Sequence, residues 1–116
     1  MTEITRTTQL TKELIKEFKD TYKKIFKTVM LDGSPIIWRR LSRAEYKQIM
    51  AKSESIADTS DRLWIREEDM CRQAVLYPCL EELEEIMAEN CGIASIVSDE
   101  IMEKSGFRVK SRTEEL

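Results

Sequence analysis

Lys23-Lys24-Ile25-Phe26-Lys27-Thr28-Val29-Met30-Leu31-Asp32-Gly33-Ser34-Pro35-Ile36-Ile37-Trp38-Arg39-Arg40 is the stretch that decides the fold. Two runs rich in β-branched and aromatic residues, one ending at Leu31 and one beginning at Pro35, flank the pair Asp32-Gly33. An Asp-Gly pair in that setting is a strong hairpin signal, because the tight turn needs positive φ that glycine adopts without steric cost. Pro35 has no N–H to donate, so the second strand is expected at a sheet edge or with a late start. One β-hairpin is therefore predicted near residues 23–40.

Outward from the hairpin, the apolar spacing changes from two to about 3.6. Upstream, Thr11 can cap a helix whose Leu14, Ile15, Phe18 and Tyr22 fall on one stripe. Downstream, Ser42-Arg43-Ala44-Glu45 is a capping box. Its serine accepts from a free backbone N–H, and its glutamate reaches back to the helix start. Tyr46, Ile49 and Met50 continue that helix, which should fade near Ser53 into a polar connection over residues 53–60.

Asp61 can cap a third helix, with Trp64, Cys71, Ala74 and Val75 on one side and Pro78 preventing its passage beyond Tyr77. Leu80, Leu83, Ile86 and Met87 make a fourth stripe that ends near Asn90-Cys91-Gly92. Ile93, Ile96, Val97 and Ile101 make a fifth, with Gly106 as C-cap and Phe107 folding back over the helix end. The expected fold is α+β: a predominantly helical, small single domain over residues 11–107 with one hairpin. Residues 1–10 read as a flexible N-terminal arm and 108–116 as a flexible C-terminal tail.

The 116 residues suit one domain. No run approaches the ~20 apolar residues that cross a bilayer, and the polar start Met1-Thr2-Glu3 lacks the apolar core of a secretion signal. Cys71, Cys79 and Cys91 form no CxxC pair, and the chain has no histidine. Reduced thiols acting as small apolar residues are expected, with no metal and no cofactor. Without histidine, Ser-His or Cys-His activation of a nucleophile cannot arise within this chain. No catalytic residue is assigned, and the chain is read as non-enzymatic.

Charge is unevenly placed. Residues 1–52 hold 12 Lys+Arg against 6 Asp+Glu, a net of +6, and residues 53–116 hold 7 against 16, a net of −9, matching the total of −3. The plain explanation is mutual neutralisation inside one fold. The sharper one is contact between copies or with a basic partner.

The candidate partner contacts follow from composition. Trp38, Arg39, Arg40 and Arg43 join an aromatic to three arginines, which suits either a protein contact or, less favoured in an acidic chain, nucleic acid. Trp64 is a core residue or an interface anchor. Glu81, Glu82, Glu84 and Glu85 surround a helix turn around inward-facing Leu83, most simply as a solvated face. Cys71 reads as a buried inert thiol.

Three patches carry a resemblance: Trp38-Arg39-Arg40-Leu41-Ser42-Arg43-Ala44-Glu45-Tyr46; Val75-Leu76-Tyr77-Pro78; and Gly92-Ile93-Ala94-Ser95 running to Glu100-Ile101 and Ser105-Gly106-Phe107. In this order the chain resembles small tail-region proteins of tailed bacteriophages, the group of base-plate hub components and tail-assembly chaperones of contractile-tailed phages. The resemblance covers about residues 22–107. It implies no catalysis and a role in building the tail or base plate through contacts with other phage tail proteins, in the virion or in the host cytoplasm during assembly. Three functions are carried forward: a structural base-plate component, a transient tail-assembly chaperone that leaves the particle, and a small nucleic-acid-binding regulator using Arg39, Arg40 and Arg43.

Overall fold

Ile25–Val29 (β1) and Pro35–Arg39 (β2) form the expected antiparallel hairpin, with Phe26 opposite Trp38 and Thr28 opposite Ile36. The turn is held by the Ser34 N–H donating to the Asp32 carboxylate (2.8 Å), and Gly33 takes the positive φ of 88° that the turn demands. The computed structural model describes residues 9–107 and 111–116. Among these, five helices accompany a three-stranded antiparallel sheet, an α+β arrangement.

The third strand is new. Val75–Tyr77 (β3) pairs antiparallel with β2, giving the order β1-β2-β3. β2 is therefore the central strand, and the proline that would be unfavourable inside it sits at its first residue. The expected third helix stops at Ala74, so Val75 is extended backbone rather than helix.

The helices are Lys12–Tyr22 (α1), Arg43–Glu54 (α2), Thr59–Ala74 (α3), Leu80–Glu89 (α4) and Cys91–Lys104 (α5). Local chemistry explains most of their ends. Leu14 N–H donates to the Thr11 hydroxyl (3.1 Å) at the start of α1. Both halves of the Ser42/Glu45 capping box are made at α2. Asp58, not Asp61, caps α3, accepting from the Asp61 N–H at 3.0 Å, so the helix begins earlier than expected. At the end of α5, Phe107 N–H reaches the Met102 carbonyl (3.0 Å) and Gly106 takes a φ of 83°, a left-handed C-terminal cap. Phe107 folds back and stacks on Tyr46 of α2, ring centroids 4.2 Å apart.

The core lies between one face of the sheet and α2–α5. Ile36 and Trp38 enter it from β2, Leu41 from the following loop, Ile49 from α2, Cys71 and Ala74 from α3, Leu83 and Met87 from α4, and Ala94, Val97 and Ile101 from α5. Trp38 stacks on Phe26 (4.7 Å between centroids), and its indole N–H donates to Thr28 Oγ1 at 2.8 Å. A buried tryptophan needs such a partner for its polar end. Ser53, fully buried, donates to the Met50 carbonyl and accepts from Arg66 Nε (2.6 Å).

α1 stands apart from this core, contributing no buried side chain. The N-terminal arm falls on residues 1–8 outside the described residues, with Gln9 and Leu10 carrying no regular structure. In the C-terminal stretch, residues 108–110 lie outside the description, and residues 111–116 are exposed and form neither helix nor strand.

Candidate protein-contact surface on α3, α4 and α5

The apolar stripe of α3 has two fates along its length. Its C-terminal half, with Met70, Cys71 and Ala74, is buried against the other helices. Its N-terminal half runs past that cover. Leu63 and Trp64 are 55% and 57% exposed. Two arginines fix this half in place. Arg62 Nε donates to the Ile56 carbonyl (3.0 Å), and Arg66 is the partner of Ser53 at the end of α2.

Opposite Leu63 and Trp64, the first turns of α5 supply small residues, Gly92, Ala94 and Ser95, and α4 supplies Met87 and Ala88. Small side chains facing large ones leave a groove of about 530 Å³. Glu67, Glu68 and Glu84 also line it, and its lining contains no lysine or arginine. A second groove of about 560 Å³ continues along α3 and α5, sharing Leu63, Glu67 and Ser95 with the first and adding Ile96, which is 58% exposed. Three exposed apolar or aromatic side chains, Leu63, Trp64 and Ile96, thus share one face with the carboxylates of Glu67, Glu68, Glu84 and Asp99 and the guanidinium of Arg66. Exposed apolar area gathered and rimmed by charge is the usual form of a protein contact site.

The rim is held stiffly. Arg72, one turn beyond Glu68, donates to Glu84 through Nε and Nη2, to Asp69 at 2.8 Å and to Glu68 at 2.8 Å. These carboxylates raise the Arg72 pKa further above its ordinary value, Glu84 being the largest influence. Asp69 is also met by Lys52 of α2 at 3.0 Å, an ion pair that crosses from the basic to the acidic half of the chain. Arg72 and Arg39, by contrast, find their carboxylates within their own halves, so neutralisation between the halves is incomplete.

The remaining sequence candidates are dispersed. Trp38, a candidate partner contact, is 2% exposed and belongs to the core, a correction that follows from its central strand being covered on both faces. Arg39 is committed inside the molecule. It makes two bonds to Glu45 (3.0 and 2.7 Å), and others to the Arg40 and Gln73 carbonyls, both 3.0 Å. Arg40 is exposed with its guanidinium 5.9 Å from the centre of the Phe26 ring, and Arg43 is exposed on the first turn of α2. The three arginines do not make one open basic patch. Glu81 is exposed on α4, and Glu82 and Glu85 are partly buried, while Glu84 reaches the groove. Leu83 faces inward as expected.

Trp64 is the residue that composition left between core and interface, and it lies at the surface. Leu63, Glu67 and Ile96 were not among the candidates. Ile96, expected on the inward stripe of the last helix, lies to one side of it, because that stripe runs through Ala94, Val97, Ser98 and Ile101. Cys71 is buried, and burial pushes its thiol up to about 12, with Glu67 adding to the effect. No helix among the described residues is long and apolar enough to cross a membrane. Comparison with protein-family models, with curated proteins and with solved structures gives no match.

Proposed function

We propose that this chain is a non-enzymatic assembly protein of a bacteriophage tail or base plate, retained in the particle as a structural component and acting through protein–protein contacts. The observation that carries the contact role is the exposed Leu63–Trp64–Ile96 surface beside Glu67 and the pinned Glu68 and Glu84. Tryptophan supplies a large desolvated anchor, and charges around it select the partner. The tail setting rests on the three patches that resemble tail-region proteins.

A pull-down of tagged protein from phage-infected cells, with Trp64→Ser alongside, tests this. Tail or base-plate proteins should be recovered with the wild type and lost with the variant. Recovery of nucleic acid alone, or recovery that ignores Trp64, overturns the proposal. Mass spectrometry of purified particles should find the chain at fixed stoichiometry; its absence there would favour the transient chaperone.

A further inference from the structure

We propose that the groove between α3, α4 and α5 receives helix α1 of a second copy of this chain. The proposal rests on that face being a contact surface, as above, and identifies its occupant.

α1 is a helix without adequate cover. None of its side chains is buried, Tyr22 is 41% exposed, and Leu14, Ile15 and Phe18 are only partly covered. Eleven residues are too few for a helix to be stable in water by propensity alone. Its apolar stripe needs a second surface.

The charges on α1 match the groove in sign. Lys12, Lys16 and Lys19, spaced i, i+4, i+7, form an exposed row along one flank of the apolar stripe. Glu13, Glu17 and Asp20 fall on the other side of the helix. The groove offers Trp64 and Leu63 for the apolar stripe and, for the lysine row, Glu67 together with Glu68 and Glu84, which Arg72 already bonds from one side. Length also agrees, since α1 spans about 16 Å at 1.5 Å per residue and α3 about 24 Å.

Within one molecule, Lys23 and Lys24 join α1 directly to β1, the sheet edge separated from β3 by the central strand. α1 stays on its own sheet, and the groove on the helices is filled by a neighbour. Each copy then presents one helix and one groove, so the contact is head to tail.

Sedimentation velocity over a dilution series is the test. The wild type should grow beyond monomer with concentration. Trp64→Ser and the double variant Lys16→Glu/Lys19→Glu, all at exposed positions, should each lower the association constant at least about tenfold. Mixing these two variants leaves one sound groove and one sound α1, and should restore a 1:1 dimer and nothing larger. Val29→Ser, at an exposed position on β1 that lines neither groove, should associate like the wild type. A wild type that stays monomeric, a mixture that stays monomeric, or association lost with Val29→Ser but kept with Trp64→Ser would each overturn the proposal. If self-association fails while Trp64→Ser still loses tail proteins in the pull-down, the second copy is wrong and the contact surface stands. If Trp64 matters in neither experiment, both are wrong.

Discussion

The guanidinium of Arg39 meets the carboxylate of Glu45 through two hydrogen bonds of 3.0 and 2.7 Å, tying the end of β2 to the first turn of α2. Gln73, near the end of α3, joins the pair from both directions: its carbonyl accepts from Arg39 and its side-chain N–H donates to Glu45 at 2.6 Å. Three elements therefore converge on one carboxylate, which also caps α2 through the Ser42 N–H. Glu45→Gln should destabilise the fold by about 2 kcal/mol, because the partly buried Arg39 loses its charged acceptor. Urea denaturation followed by circular dichroism measures this, and an unchanged midpoint would refute it.

The same pair gives the protein an acid-sensitive step. The hydrogen bond from Arg39 is the largest influence lowering the Glu45 pKa from 4.5 to about 2. A carboxylate depressed in the folded state stabilises fully above its unfolded value, and that contribution is lost as pH falls toward the folded one. Stability should thus decline between about pH 4.5 and about pH 2, and the decline should be shallower in Glu45→Gln. Parallel acid titrations of the two proteins compare the slopes.

Cys71 and Cys91 should differ sharply in reactivity. Cys71 is 1% exposed with a pKa pushed up to about 12, and Cys91 is exposed at the start of α5. Thiolate and access both control alkylation. Under native conditions at pH 8, peptide mapping after iodoacetamide should find Cys91 modified and Cys71 spared until denaturant is added.

Arg72 should contribute more than a surface arginine ordinarily does. It bonds carboxylates on both α3 and α4, and the chain places a core leucine, Leu83, beside one of them. Arg72→Met should cost about 1–3 kcal/mol, since it leaves Asp69 and Glu84 without their shared cation. A loss below about 0.5 kcal/mol would make the cluster no better than isolated surface pairs.

The two tryptophans should be separable by fluorescence. At dilutions where the chain is monomeric, Trp64→Phe leaves only Trp38, whose emission should be blue-shifted and resistant to acrylamide. Trp38→Phe leaves an exposed Trp64 that quenches readily. The reverse order would contradict the burial of Trp38.

The features legible in the sequence are those stabilised by near neighbours. Asp32-Gly33 with its flanking runs, the Ser42/Glu45 box, the Thr11 cap and the Gly106-Phe107 ending all act within a few residues, and all form. β3 escaped because three residues carry no periodicity; Val75–Tyr77 is a strand only because β2 offers its free edge. Trp64 and Ile96 show the same limit from the other side. A stripe marks which way a side chain points, but only the neighbours' lengths decide whether anything stands opposite, and α3 outruns its cover. The candidate site was accordingly half-visible: Trp64 and Glu84 were in view, whereas Leu63, Glu67 and the small residues of α5 gained meaning only from packing.

The central place of β2 also sets an order of events during synthesis. Its first neighbour, β1, is adjacent in sequence, but its second, β3, leaves the ribosome only after α2 and α3 have been made. Local pairing can proceed early, while the closing strand brings the entropic cost of a long loop. A nascent chain halted before Val75 would hold a hairpin with its inner edge bare, and such edges recruit other strands. The last few residues of α3 and the short strand beyond them therefore close off misassembly on the way to the native state.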